Sequence, residues 1–415
     1  MNFTLTLLRL GEENHLFKLW QKILKRVFGL EDMRVSSALY NHSQYTFSYH
    51  VLLSHRIGIS PEVVYSVNST PAINEVSLPD LYMAQFKDIW IRGRSDCLFD
   101  FKKKLLWNDF GYTMDENVFS IQSPSVFGMK HHVALVRAGY EKSKNVLEKG
   151  VMLAADFSSN YYHVLYEILP RLQEVLYEQS IPKDVPLLID NCIRCVPQLE
   201  DAFNLINSSE RNIVWLEENV YYCVKDLYYI SSVNRIPPQV LKGSLVRYED
   251  FGFDVHSLSV LRDRFLEEAS KNHAIKKQTP MKRIFISREG HQNRSCNEDE
   301  LFDVAKQYGF QKLSPEKYSF LEQISLFHQA EIIVGATGAA FSNLLFTEKG
   351  SKAICFVNAI SESSIFTASA FVAGCQLVYL AGIANGKNNT AYAIHADFNI
   401  IPEHFHVLLN EMCDY

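Results

Sequence analysis

Residues 281–358 restrict the possible folds most, because short apolar runs there alternate with amphipathic helical patterns. "RIFIS" (283–287) reads as a strand, and Asn297 opens a helix with Glu300 three residues on, an Asx variant of the capping box. Leu301, Val304, Ala305 and Tyr308 form the apolar stripe of that helix, and Gly309 stops it. "FQKL" follows as a strand, Ser319 with Glu322 starts the next helix, and "EIIVG" is a strand again. "GAAFSNLLF" then reads as a helix and "AICFV" as a further strand. Such alternation is the signature of a mostly parallel sheet. A looser version runs over 116–235, through "HHVALVR", a helix starting at Asn160, "VPLLID", "NIVWL" and "DLYYIS".

At 415 residues the chain exceeds one ordinary core. The patterns predict an α/β protein of two layers joined by a connector. Residues 1–34 form an amphipathic segment, 35–115 a β-rich extension with a strand-and-turn meander, 116–275 the first α/β domain and 276–415 the second. The charged helical run within 236–280 serves as the connection.

With 47% hydrophobic and 21% charged residues, the composition is that of a folded globular protein. A net charge of −6 argues against a broad nucleic-acid surface. No run reaches the roughly 18 apolar residues of a membrane span. Residues 14–28 place Leu16, Leu19, Trp20, Ile23, Leu24 and Val27 on one helical face with lysines around it. That face suits either an anionic membrane surface or packing within a protein. The first residues lack the pattern of a signal peptide, so the expected location is the cytoplasm, at most at the inner face of the membrane. In reducing surroundings the eight cysteines, "CIRC" (192–195) included, read as idle or buried thiols rather than as half a zinc site or a redox pair.

Ligands of open parallel sheets bind beyond the carboxyl ends of the strands. Ser287 and Arg288 stand there directly after "RIFI", with Arg294 in the next loop. Two guanidiniums suit a phosphate or diphosphate, since arginine offers paired planar donors and stays charged. "GATGAAFSN" (335–343) is the second such place. Gly335 and Gly338 let backbone approach a ligand, and the following helix start favours an anion. A GxxG spacing is equally that of a tight strand-to-helix turn. On the other half, "NYYHVLYEILPRL" (160–172) carries Asn160, a good helix cap, and His163 and Glu167 on one helical face. His163 is the first choice for a base and Glu167 the second; the bland alternative is a solvated polar face. Pro170 predicts a kink or an end to the helix, with Arg171 projecting from the break.

This ordered set of pieces, with "NEDEL" (297–301) and "YGFQKLSPEKYSFLEQISLFHQAEIIVGATGAAFSNLLFTEKGS" (308–351), resembles glycosyltransferase family 61, from about residue 79 to about residue 400. The resemblance implies a GT-B-like fold of two Rossmann-like domains around a cleft, and inverting transfer of a sugar from a nucleotide donor, UDP-linked in the better-known members, to a hydroxyl. In bacterial relatives the acceptor is a growing capsule-type polysaccharide, a lipid-linked glycan or another glycoconjugate. It places Ser287, Arg288, Arg294, Gly335, Thr337, Gly338, Ala339 and Asn343 on the donor side. Asn160, His163, Glu167 and Arg171 fall on the acceptor side, with His163 and Glu167 as the base. Neither a metal nor another cofactor is expected. Two positions depart from the family pattern: Thr337 stands where a His usually precedes the second glycine, and Cys355 where a Glu is frequent. A silent relative acting as an assembly partner and an effector that glycosylates host protein are the competing readings.

Overall fold

Among the described residues two large sheets carry the molecule, beside a two-stranded pair formed by Ile57–Pro61 and Ile73–Ser77. The computed structural model describes residues 22–413 except 23, 24, 27, 28, 46, 63–69, 117, 120–122, 124, 138, 141, 142, 208–210, 238–246, 273–278, 289, 291–293, 359–363 and 385–395. The amphipathic segment 14–28 therefore lies outside the described residues, apart from Lys22, Lys25 and Arg26.

The first sheet has eleven strands. Four run parallel at one end, in the order Ile213–Leu216, Leu187–Asp190, Val146–Met152 and Tyr221–Ile230. Leu81–Arg92 pairs antiparallel with the last of these, and Leu98–Asp100, Leu105–Trp107, Leu30–Ser36, Val133–Arg137 and Val126–Lys130 continue the sheet from it, with Ser48–Leu53 also paired to Leu81–Arg92. The meander expected around residues 88–111 is present as Leu81–Arg92, Leu98–Asp100 and Leu105–Trp107. "HHVALVR" is a strand, yet it belongs to this antiparallel part, between Leu30–Ser36 and Val126–Lys130. The parallel strand that leads to the Asn160 helix is instead Val146–Met152. Its first half is exposed and carries Glu148 and Lys149, so only its last three residues look like a buried strand.

The second sheet runs Gln311–Leu313, Arg283–Ile286, Ile332–Ala336, Lys352–Asn358 and Gln376–Ala384, all parallel, with Phe398–Asn399 antiparallel at the edge. The helix Glu298–Gln307 forms as the stripe requires, and Leu301 and Ala305 are buried. Its cap differs from the expected box. Asn297 makes no side-chain bond to the helix backbone; its amide pairs with both the N–H and the carbonyl of Ile400 at 3.0 Å and reaches Glu300 at 2.7 Å. Capping is thus exchanged for anchoring the edge strand. Ser319 and Glu322 do form their box at the start of Phe320–Gln329. "GAAFSNLLF" winds as a 3-10 helix, Ala339–Phe346, rather than an α-helix.

A single apolar cluster runs from one sheet to the other, including Leu153, Leu165 and Phe203 on one side and Ile286, Ile333 and Cys355 on the other. The helix Val255–Lys271, expected as a connector, is central to it. It packs on Leu169–Tyr177 of the first layer and on Phe320–Gln329 and Thr367–Ala373 of the second. Phe265 meets Phe320 edge-on at 4.8 Å and Phe346 at 6.0 Å, which seats the 3-10 helix against the layer between the sheets. Among the described residues, no helix is long and apolar enough to cross a membrane. All eight cysteines are free thiols.

Candidate active site

The helix that begins after Val146–Met152 is built in three pieces. Asn160 caps it, its Oδ1 accepting from the Tyr162 N–H at 2.9 Å. One α-turn, Tyr161–His163, passes into a π-helical segment, Val164–Ile168, and then into the α-helix Leu169–Tyr177. The wide turn inserts an extra residue, a device common at functional sites. Of the two outcomes expected at Pro170, a kink or an end, the helix does not end there. Its missing donor leaves the Tyr166 carbonyl, four residues back, without its usual partner, and the Asn234 side chain donates to that carbonyl at 2.6 Å. Asn234 also accepts from the Asp254 N–H at 2.7 Å. Replacing Asn234 with alanine strands the buried Tyr166 carbonyl and frees the half-buried Asp254 N–H, and is expected to cost on the order of 1–3 kcal/mol, read as a lowered thermal midpoint.

Arg171 does not project from a break either. It is buried, donates from Nη2 to the Met152 carbonyl at 2.8 Å and lies over the Tyr229 ring at 5.9 Å. It braces the helix on the strand behind it.

His163 and Glu167 stand together as the spacing requires, with Nδ1 hydrogen-bonded to the Glu167 carboxylate. Phe157 stacks on the imidazole at 4.3 Å and Tyr162 meets it edge-on at 5.2 Å. Both polar side chains keep some exposure, 16% and 23%. The ring is therefore held on a face, on an edge and at one nitrogen, which leaves Nε2 as the nitrogen that can take a proton.

Three carboxyls that sequence patterns did not single out lie on this side of the molecule: Asp96 and Asp156 feel the charge of Glu167, and Asp190 adds to that felt by Asp156. Asp156 follows Val146–Met152 and is buried, and among the described residues no side chain hydrogen-bonds either of its oxygens. Burial pushes its carboxyl well above the usual range, and the Asp96 charge adds to the rise. Asp96 is raised by burial and by Glu167. Asp190 is raised by burial although the N–H groups of Arg94 and Ala155 donate to it at 2.6 and 2.9 Å. Each is a lone Asp in a loop or at a strand end, where it reads as an ordinary turn residue. Only the fold shows that they converge.

On the second sheet, Ile286 lies beside Gly335, which in turn lies beside Cys355. A side chain at Gly335 would place its Cβ 2.7 Å from the Ile286 carbonyl. Glu298 accepts from the Ser287 hydroxyl at 2.6 Å and from the Arg288 N–H at 2.8 Å, so the turn after the strand is fixed by the next helix. The Arg288 guanidinium then reaches across and donates from Nη1 to the Thr337 carbonyl at 3.1 Å. Gly338 lies under that guanidinium: its Cβ, if present, would sit 2.1 Å from Nη1. Gly338→Ala is therefore expected to displace Arg288 with little loss of stability. Nucleotide binding should weaken about tenfold or more, since hydrogen bonds of charged groups contribute about 1.5–3 kcal/mol; calorimetry checks this.

Arg294 completes the pair from a left-handed turn (φ 61°). Its Nε is buried and, among the described residues, has no hydrogen-bond partner. Burial and then the Arg288 charge lower its pKa to about 10. Burial also lowers that of Arg288. Two cations that repel one another in a desolvated place mark a site for an anion. Cys355 is buried beside them, hydrogen-bonded to the Thr337 side chain, and burial raises its thiol. Thr337 is itself buried, and its N–H bonds the Phe356 carbonyl at 2.8 Å. Ala339, half-buried, begins the 3-10 helix.

Asn343 departs from its expected donor-side role. Its Oδ1 accepts from the Tyr161 hydroxyl at 2.6 Å and its Nδ2 donates to Gln323 at 2.9 Å, so both ends of the amide are spent inside the protein. It fastens the Asn160 helix to the glycine turn.

Residues 161–354 match the family model Glycosyltransferase 61. That span holds His163, Glu167, Ser287, Arg288, Arg294 and the glycine turn. It is a glycosyltransferase family 61 domain. The protein is thus a glycosyltransferase, and its family implies a nucleotide-sugar donor and a glycan acceptor. No curated protein matches the chain. The matched span is narrower than the resemblance over residues 79–400, and it omits the antiparallel part of the first sheet.

Proposed function

We propose that this glycosyltransferase is an inverting, GT-B-like enzyme that moves a sugar from a nucleoside-diphosphate sugar, UDP-linked, to a hydroxyl of a surface polysaccharide or glycoconjugate. The observation that carries the reading is the Arg288–Arg294 pair at the strand ends of the second sheet, joined through the glycine turn to the helix that holds His163 and Glu167.

In this reading the diphosphate lies against Arg288 and Arg294, and the acceptor hydroxyl approaches His163. Nε2 takes the hydroxyl proton while Glu167 holds Nδ1 and stabilises the imidazolium that forms. The acceptor oxygen bonds to the anomeric carbon as the bond to the diphosphate oxygen breaks on the opposite face, which inverts the configuration. The leaving group departs as an anion, and the two guanidiniums meet its charge where it develops. No step calls on a metal.

The test is to incubate the protein with UDP-, GDP- and CMP-sugars and follow nucleotide release, with the anomeric form of the product read by NMR. Release from UDP-sugars with inverted product supports the reading, and release from GDP- or CMP-sugars in their place overturns the UDP assignment. Retention of configuration, or no release with any donor, overturns it.

A further inference from the structure

Tyr161 stands two residues before His163 and touches neither of the groups assigned to chemistry. Its hydroxyl donates at 2.6 Å to Oδ1 of Asn343, which is fully buried in the 3-10 helix that begins directly after Gly338. The Asn343 amide passes the connection to Gln323 at 2.9 Å, and Gln323 donates to the carbonyls of Pro315 and Tyr318 at 2.8 and 3.2 Å. Tyr318 also receives Gln198 at 2.9 Å, from the helix Pro197–Ile206 of the first layer. The chain of bonds thus leaves the first layer at Tyr161 and returns to it at Gln198. Alongside, Tyr162 meets Phe366 edge-on at 5.9 Å, and Phe366 lies 5.7 Å from Phe341 of the same 3-10 helix.

The turn that Tyr161 grips from one side is the one that Arg288 grips from the other, through the Thr337 carbonyl. An anion that draws the Arg288 guanidinium toward itself acts on Thr337 and Gly338, and so on the start of the 3-10 helix. That helix is packed on every side, and close-packed interiors pass on small displacements rather than absorb them. Asn343 has no solvent to turn toward.

We propose that Tyr161 is a positioning residue that couples occupancy of the Arg288–Arg294 site to the helix bearing His163. The proposal rests on the donor-site reading above. Through this bond, the base is set against the reacting centre when the diphosphate is in place.

Hydrogen exchange of the full chain, with and without saturating UDP, tests it in the wild type, Tyr161→Phe and Gln323→Met. In the wild type, UDP should slow exchange in peptides covering 337–346 and also 161–169. In Tyr161→Phe, protection of 337–346 should remain, UDP affinity should stay within threefold, and protection of 161–169 should fall at least tenfold. Gln323→Met leaves the Tyr161–Asn343 bond in place while orphaning the other end of the amide. It should lose stability comparably, yet keep the protection of 161–169. The proposal is overturned if UDP protects 161–169 equally in Tyr161→Phe, if Gln323→Met abolishes that protection, or if wild-type protection stops at 337–346. Absence of any protection of 337–346 in the wild type overturns the donor-site reading, and this proposal with it.

Discussion

His163→Ala lowers the rate of sugar transfer by about 10²–10⁴-fold, the usual contribution of a positioned base, while nucleotide binding stays within a factor of a few. The expectation follows from how the ring is held. Glu167 engages Nδ1, Phe157 covers one face and Tyr162 meets an edge, so the protein has fixed this imidazole without using Nε2. The side chain is partly exposed, and its removal leaves no buried polar group behind except Glu167, which retains 23% exposure. Stability should therefore change little. Glu167→Gln keeps a hydrogen-bonding partner and removes the charge that stabilises the imidazolium. A smaller loss is expected there, again in kcat rather than KM. Rates of nucleotide release under saturating donor, with calorimetric binding alongside, make the check. If His163→Ala retains full turnover, His163 is not the base, and Asp156 becomes the next group to replace.

Arg288→Ala is expected to weaken nucleotide binding by more than tenfold, a loss of at least about 1.4 kcal/mol. The side chain does two things at once. It meets the anion, and through Nη1 it holds the Thr337 carbonyl, so its removal takes away a charge and loosens the turn. Arg294 is then the sole guanidinium of the pair. Losing its neighbour relieves the repulsion that lowers its pKa, so it stays charged but meets the diphosphate from one side only. Arg288→Lys should recover little, because an ammonium cannot offer the planar fork that reaches both an anion and the carbonyl. The affinity of the wild type should also fall as salt is raised, and less steeply in Arg288→Ala. Unchanged affinity in Arg288→Ala would move the donor site elsewhere.

Much of this molecule could be read along the chain. The second sheet follows from local pattern, because strands buried on both faces must be uniformly apolar, and the helices between them carry their own stripes and stops. Arg288, the glycine turn and the His163–Glu167 pair were also legible, since each lies within a few residues of a strand end or on one helical turn. Gly338 was legible as a glycine, but its reason was not: the atom that excludes a Cβ belongs to Arg288, fifty residues earlier.

The rest depended on contacts between distant segments. Pro170 predicts a kink or an end, and the end fails only because Asn234, sixty-four residues later, supplies the missing partner and lets the helix run on. Arg171 and Asn343 look like site residues because polar side chains beside functional ones ordinarily face solvent or ligand. In the fold each meets a partner from another element and is buried by it. Asp96, Asp156 and Asp190 show the converse: single carboxyls with no local pattern, brought together by the ends of separate strands and loops. By itself, then, the sequence determined the strands and most of the helices of the second sheet and the chemical types present at their ends, all of which depend on neighbours in the chain. Tertiary structure alone decided which of those polar groups remain open to a ligand and which are consumed inside the protein, because a donor hydrogen engaged there is not offered to a ligand.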